Sequence, residues 1–210
     1  KLYCEFYTSN PQTSIRKIEG LVGRGVTELG RSGLEEKAGK ILQEARTKDI
    51  GVIVGGDALT ATTHISLILD CRKMGIGYKI IHGSSIFTAV AESGLQLYNF
   101  GKTTTLPFPE KGYSPKTPYE VIGQNRKSGM HTLVLLDTRM DCIQGMRLLN
   151  GVLMPGEKII AIADLGGKNI IRYNTQDNLS SDSGLEDVSP GVLIIPGRLH
   201  FLEEEFLKGL

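Results

Sequence analysis

The chain has 210 residues, three cysteines and a formal net charge of +1. This length suffices for one large or two small domains, and the near-neutral charge argues against a general nucleic-acid binder or a membrane-surface protein. No apolar run approaches transmembrane length and the amino terminus does not resemble a signal peptide. The cysteines have neither metal-ligand spacing nor the pattern of a disulfide framework, which favours a reducing, cytoplasmic location.

The first third of the chain predicts strands alternating with helices. Residues 1–7 are strand-like, and the apolar positions of residues 34–48 repeat with the spacing of an amphipathic helix. A short helix is predicted at residues 14–21. The alternation is typical of an α/β fold.

Two turns form the centre of the prediction. A β-branched run at residues 50–54 predicts a buried strand that ends at residues 55–57 (GGD), and a threonine cap at residues 62–63 then begins a helix. A second strand, at residues 78–81, ends at residues 82–85 (HGSS), where another helix begins. Neighbouring turns of this kind make a crevice at the carboxyl ends of the strands, which is where open α/β sheets bind ligands.

Each of these features also has a plainer interpretation. Taken alone, the GGD sequence is an ordinary turn, and the HGSS sequence is a turn followed by a helix cap. His64, at a predicted helix start, is more often structural than catalytic. Functional interpretation therefore depends on the two turns lying at the same edge of one sheet.

The second half of the chain predicts another α/β unit. Residues 94–101 are bracketed by glycines and predict a linker, which divides the chain into domains at residues 1–101 and 102–210. The polar residues 175–189 predict a mobile loop. Strands are predicted at residues 103–108, 132–136, 158–163, 170–173 and 192–196, and helices at residues 119–127, 143–149 and 203–207.

Residue spacing alone predicts no catalytic constellation. The four histidines share no ligand spacing, and there is neither a nucleophile–histidine pairing nor the phosphate-binding pattern GxxxxGK[ST]. We therefore expect no metal site and no side chain dedicated to nucleophilic catalysis.

Several motifs, in the same order along the chain, resemble those of the diphthine synthase family. The segment at residues 55–64 (GGDALTATTH) is similar to the family's GGDP-L-x-ATTH signature, and residues 81–86 (IHGSSI) resemble its second signature. Residues 94–103 (GLQLYNFGKT), residues 131–137 (HTLVLLD) and the last strand also match. The resemblance runs from about the first residue to the last.

The resemblance implies a two-domain, tetrapyrrole methylase-like α/β fold with a cofactor cleft between the domains. It implies S-adenosylmethionine as cofactor and S-adenosylhomocysteine as product. The matching cofactor-binding positions are Asp57, Thr60, Ser85, Ile86, Leu136, Leu165 and Gly191. Asp57 would accept a hydrogen bond, Ser85 and Ile86 would offer backbone groups, and the leucines would flank the adenine. Alone, Asp57 would be a turn residue, Ser85 and Ile86 a helix start, and the leucines core residues.

Three departures from the family pattern stand out. The family's first strand and its glycine-rich turn have no counterpart in this sequence, so we expect the fold to lack that unit. Ala58 stands in place of the family's proline, which loosens the turn. Residues 189–191 (SPG) replace the family's Pro-Pro-His, so Gly191 offers at best a backbone contact.

The resemblance implies an enzyme that methylates the amino group of the modified histidine, a diphthamide precursor, in translation elongation factor 2. It also implies a homodimer. Two alternatives remain open at this point: a methylase-fold protein that binds without turnover, and a methylase that acts on a tetrapyrrole ring.

Overall fold

The structure is a computed structural model, and it describes residues 1–9, 13–36, 38–112 and 115–210. The chain forms two compact units, Lys1–Phe87 and Thr88–Leu210. None of the helices within these ranges is both long enough and apolar enough to cross a bilayer.

The first unit is built on a three-stranded sheet in which every strand is parallel to its neighbour. The strand order is β2-β1-β3, with β1 (Leu2–Glu5) in the centre, β2 (Val26–Glu28) on one side and β3 (Gly51–Val54) on the other. Its helices are α1 (Ile15–Val22), α2 (Arg31–Glu35), α3 (Gly39–Ala45), α4 (Ile65–Lys73) and α5 (Ile86–Ala89), the last of which continues into the second unit.

Two predictions for the first unit differ from the structure. The single helix predicted at residues 34–48 is divided into α2 and α3. Residues 78–81 form no strand. Residues 78–80 instead line a groove of about 460 Å³ together with Val52 and Val54 of β3, without pairing with that strand. The residues of β3 are correspondingly only half-buried.

The second unit contains a five-stranded sheet of order β4-β5-β8-β6-β7. The strands are β4 (Thr104–Leu106), β5 (Thr132–Leu136), β6 (Lys158–Ala163), β7 (Ile170–Thr175) and β8 (Gly191–Ile195). The helices are α6 (Thr117–Lys127), α7 (Cys142–Leu148), α8 (Gln176–Leu179) and α9 (Phe201–Leu207), and 3₁₀ turns occupy Val90–Ser93 and Leu97–Asn99.

Strand direction in this second sheet is mixed, whereas the first sheet is entirely parallel. β4 and β5 are parallel, whereas β8 is antiparallel to both β5 and β6, and β7 is antiparallel to β6. β4, β5 and β6 therefore point the same way. Their carboxyl ends lie at one edge of the sheet together with the amino end of β8.

The core of the second unit lies around this sheet. β8 is buried along its whole length, and β6 is buried except at its first residue. Their near-continuous runs of branched apolar side chains are typical of strands that are covered on both faces. Leu185 is fully buried, and α8 forms within the segment predicted as a mobile loop. The prediction for residues 175–189 therefore missed a packed segment, because the two buried leucines, Leu179 and Leu185, are a weak signal in a polar sequence.

The glycine-bracketed segment at residues 94–101 is packed within the second unit, whereas the sequence suggested a linker. The boundary between the compact units lies before it, after Phe87. The main-chain N–H of Gly101 donates to the carbonyl of His131 (2.9 Å), and that of His131 donates to the carbonyl of Asn99 (3.0 Å). An added side chain at Gly94 would overlap the ring of Phe206. Backbone pairing and close packing thus fix this segment.

A buried carboxylate holds the same region together. Glu203 is fully buried and accepts hydrogen bonds from the main-chain N–H groups of Gln96 (2.8 Å) and His200 (2.7 Å). His131 accepts from Gly197 at Nδ1 (2.8 Å), so its Nε2 carries the proton that points to Glu203 (3.3 Å). Burial raises the pKa of Glu203, but these hydrogen bonds outweigh it and the net shift of the pKa is downward.

Removing this carboxylate should destabilise the second unit. We expect Glu203→Ala to lower the free energy of unfolding by about 3 kcal/mol, because several buried donors lose their acceptor. Glu205→Ala, an exposed position on the same helix, is the matched control and should be near neutral. Urea unfolding, monitored by circular dichroism, measures the stability of both variants. Equal midpoints would show that the Glu203 carboxylate does not stabilise the second unit.

The groove beside β3 should bind an apolar dye. Its lining is mainly leucine, isoleucine and valine, and such surfaces bind anilinonaphthalene sulfonate. Ile80 lines the groove, whereas its neighbour Ile81 does not and is 77% exposed. We expect Ile80→Lys to reduce dye fluorescence and Ile81→Lys to leave it unchanged. The same fluorescence from both variants would show that the dye binds elsewhere.

Candidate active site

The first turn of the candidate site is organised by the buried carboxylate of Asp57, three residues after the end of β3. Its Oδ1 accepts from the main-chain N–H of Leu59 (3.0 Å) and from the hydroxyl of Thr60 (2.9 Å). Gly56 has a φ of 89°, in the left-handed region that glycine adopts without strain. Asp57 is 7% exposed, so the turn closes around an ionised group that is largely shielded from water.

The other oxygen of Asp57 binds the second turn. Oδ2 accepts from Nδ1 of His82 (2.8 Å) and from the main-chain N–H of Gly83 (3.2 Å). The N–H of Leu59, with His82 and Thr60, holds the pKa of Asp57 well below its ordinary value. Four donors fill the acceptor positions of the two carboxylate oxygens. In this arrangement Asp57 joins the two turns and has no spare acceptor position for a ligand.

The two turns also touch through their backbones. A Cβ atom added to Gly83 would lie 2.6 Å from the carbonyl oxygen of Gly56, so glycine is required at this position. The Gly83 N–H bond to Asp57 lies beside this contact. The predicted adjacency of the turns is therefore confirmed, although residues 78–81, which lead to the second turn, form no strand.

Ser85 and Ile86 lie where the second turn meets α5. Both are half-buried, and the Ser85 hydroxyl accepts from the main-chain N–H of Phe87 (3.2 Å). This bond is typical of a helix start, which was the plainer interpretation of the HGSS sequence. In the first unit, the structure thus brings Asp57, Thr60, Ser85 and Ile86 to one pair of contacting turns.

His64 has a structural environment. It is 6% exposed, and its Nδ1 donates to the carbonyl of Ala58 (3.1 Å). In that tautomer its Nε2 accepts from the Tyr7 hydroxyl (3.4 Å) and lies 3.8 Å from the buried Glu5 carboxylate. Burial, followed by the charges of Glu35 and Glu5, raises the pKa of Tyr7 to about 12.

Glu5 and Tyr7 were not among the residues predicted for the site. Both belong to the strand-like segment at residues 1–7, and Glu5 is the last residue of β1. A carboxylate at the carboxyl end of a central strand is the sequence signal that could have found them.

The predicted residues of the second unit lie at one edge of its sheet. Leu136 ends β5, Leu165 follows β6 by two residues, and Gly191 begins β8. Ala163 is paired with Gly191, and an added Cβ at Gly191 would lie 3.4 Å from Leu136. The mixed strand directions are what place the start of β8 beside the ends of β5 and β6.

These three residues differ in accessibility. Leu136 is 8% exposed and belongs to the core, which was the plainer interpretation of that leucine. Gly191 is buried, and a side chain there would meet the Cys142 sulfur at 2.9 Å. Leu165 is half-buried on a loop that encloses the Asp164 carboxylate, which accepts from the N–H of Lys168 (2.9 Å).

An ion pair between Asp137 and Arg139 lies next to this edge of the sheet. Asp137, directly after β5, accepts hydrogen bonds from the guanidinium of Arg139 (2.8 and 3.0 Å). The Arg139 side chain lowers the pKa of Asp137 to about 2, so this carboxylate is ionised and paired. Nowhere in the described part of the chain do three or more histidine, cysteine, aspartate or glutamate side chains cluster as metal ligands would.

Ionisation of Asp57 should make the first unit sensitive to acid. A folded-state pKa below the unfolded value of about 4 contributes stability at neutral pH that is lost as the pH falls. We expect Asp57→Asn to have a lower urea midpoint than the unmodified chain at neutral pH, with the difference shrinking below about pH 4. Asp70→Asn, on the surface of α4, is the control. A difference in midpoint between Asp57→Asn and the unmodified chain that does not depend on pH would show that the ionised Asp57 carboxylate is not what stabilises the first unit.

Comparison with known proteins agrees with the fold and the motifs. A family model described as Tetrapyrrole (Corrin/Porphyrin) Methylases matches residues 10–175. The diphthine synthases of Methanococcus maripaludis and Methanocaldococcus jannaschii are each 38% identical to this chain, with 100% of the chain and 88% of each relative covered. A solved diphthine synthase superposes with a TM-score of 0.90 at 32% identity, and 100% of this chain and 84% of that chain are covered.

These similarities confirm the resemblance found in the motifs, because they extend along the whole chain. The fold match likewise confirms an α/β protein with two sheets. The chain belongs to the tetrapyrrole methylase family and, within it, to the diphthine synthases.

Proposed function

We propose that this chain is an S-adenosylmethionine-dependent methyltransferase that methylates the amino group of the modified histidine in translation elongation factor 2. The observation that carries the proposal is the full-length similarity to diphthine synthases, together with the two turns that Asp57 joins. The full-length relatives named above are diphthine synthases, and this favours the modified histidine over a tetrapyrrole ring as substrate. Their similarity likewise favours an enzyme over a binding module.

The residues of the candidate site suit a cofactor such as S-adenosylmethionine. S-adenosylmethionine carries a sulfonium whose methyl group is ready for transfer, so the protein needs to bind and orient rather than activate. Backbone groups at Ser85 and Ile86, the half-buried side chain of Leu165, the main chain at the buried Leu136, and the close approach of the two turns at Gly83 suit a nucleoside with a zwitterionic tail.

The cofactor residues that we propose are those implied by the family resemblance. In the first unit they are Asp57, Thr60, Ser85 and Ile86, and in the second unit Leu136, Leu165 and Gly191. Asp57 contributes by fixing both turns, since its acceptor positions are filled by the protein's own donors. Leu136 and Gly191 are buried, so their contribution is the main chain and the shape of the sheet edge.

The remaining parts of the proposal concern partners and location. The protein substrate is elongation factor 2, and the active form is a homodimer, as the family resemblance implies. A cytoplasmic location agrees with a translation factor as substrate and with three buried free cysteines. Light scattering of the purified chain tests the dimer.

Cofactor binding is the first test. We expect saturable calorimetric binding of S-adenosylhomocysteine, weakened at least about tenfold, or about 1.4 kcal/mol, by Asp57→Ala because both turns lose their common acceptor. Asp70→Ala, which removes a carboxylate paired with Lys73 on α4, should bind like the unmodified chain. Transfer of a labelled methyl group to elongation factor 2 carrying the unmethylated precursor then tests the reaction.

Two outcomes would overturn parts of this proposal. Equal weakening by both aspartate variants would show that the effect is not specific to the two turns. Cofactor binding without any methyl transfer would support the site and contradict the proposed reaction.

A further inference from the structure

His82 is the exposed member of the Asp57 hydrogen-bond network. Its side chain is 72% exposed, whereas that of Asp57 is 6% exposed. The bond between His82 Nδ1 and Asp57 Oδ2 is 2.8 Å long and orients the ring. It therefore presents one fixed imidazole at the surface of the two turns, three residues before Ser85.

The tautomer of His82 follows from its partner. An ionised carboxylate only accepts hydrogen bonds, so Nδ1 of His82 must carry the proton. In the neutral ring Nε2 is then a free acceptor. A buried aspartate that holds the Nδ1–H of a histidine leaves Nε2 available as a base, which is the arrangement that general-base histidines use.

The proposed reaction needs such a base. An aliphatic amine is mostly protonated at neutral pH, and an ammonium group has no electron pair with which to attack a methyl carbon. Asp57 is an unsuitable base, since its oxygens are occupied by four donors. We propose that His82 is the general base that deprotonates the acceptor amine, an inference that rests on the proposed function.

The step balances without a further reactant. Nε2 of His82 takes one proton from the ammonium group, and the freed nitrogen electron pair forms the new bond to the methyl carbon. The bond between that carbon and the sulfonium breaks, and its electron pair stays on sulfur as the neutral thioether. The proton on His82 then passes to solvent, to which the ring is open.

Other titratable groups near the two turns are less suitable. His64 is 6% exposed, and both of its ring nitrogens have partners in the carbonyl of Ala58 and the hydroxyl of Tyr7. Glu5 is fully buried and accepts from Thr8. Within the described ranges, the charged group that contacts His82 is Asp57.

The test compares His82→Asn with Ser84→Ala. Asparagine places an amide N–H near the position of Nδ1, so the bond to Asp57 can persist while the basic Nε2 is lost. Ser84→Ala changes an exposed, non-titrating residue of the same turn. Methyl transfer to elongation factor 2 is measured across pH, together with S-adenosylhomocysteine binding by calorimetry.

We expect His82→Asn to lower kcat at neutral pH by about 10²-fold with little change in cofactor affinity, because general-base catalysis typically contributes this much. The difference in kcat between His82→Asn and the unmodified chain should narrow as the pH rises, since the amine then loses its proton without a base from the protein. Ser84→Ala should keep the pH profile of the unmodified chain. Added imidazole should restore part of the activity of His82→Ala.

The outcomes separate this inference from the proposed function. If the unmodified chain transfers no methyl group, the proposed function fails. If it does, a pH-independent loss in His82→Asn without imidazole rescue of His82→Ala would make His82 merely structural and overturn the inference. Unchanged kcat in His82→Asn would overturn it as well.

Discussion

The Asp57 carboxylate is the interaction on which the candidate site depends. It accepts from Leu59 and Thr60 in its own turn and from His82 and Gly83 in a turn 25 residues later. One buried charge thereby fixes two loops. Because each donor compensates part of the cost of removing the carboxylate from water, the network favours a single arrangement of both turns. The backbone contact at Gly83 leaves no room for a side chain at that position.

The candidate residues of the two units are placed by sheets of different strand topology. The first sheet is parallel, and the Asp57 turn follows the carboxyl end of its strand β3. In the second sheet the antiparallel β8 runs between two strands that point the other way, which brings the start of one strand beside the ends of two others. For this reason Gly191, at the start of β8, lies next to Leu136, at the end of β5.

In this site, the proposed proton transfer and the positioning of the cofactor are carried out by different side chains. Asp57 is occupied by donors and stays ionised, His64 is enclosed by its partners, and His82 alone of the three combines an anchored ring with access to solvent. A methyltransferase whose donor is already reactive asks little more of its side chains than orientation and one base. The absence of a familiar catalytic motif from the sequence is consistent with that chemistry.

The sequence by itself determined the α/β class, the bounds of β5 and β6, the two turns and the family. These follow from local signals: apolar runs that end at glycine or acidic residues, and motifs in a fixed order. Tertiary structure alone decided that residues 78–81 lack a strand partner, that residues 94–101 pack within the second unit and that β8 runs antiparallel. It also decided that His82 binds Asp57. Each of these depends on hydrogen-bond partners that are distant in the chain, which local periodicity does not encode.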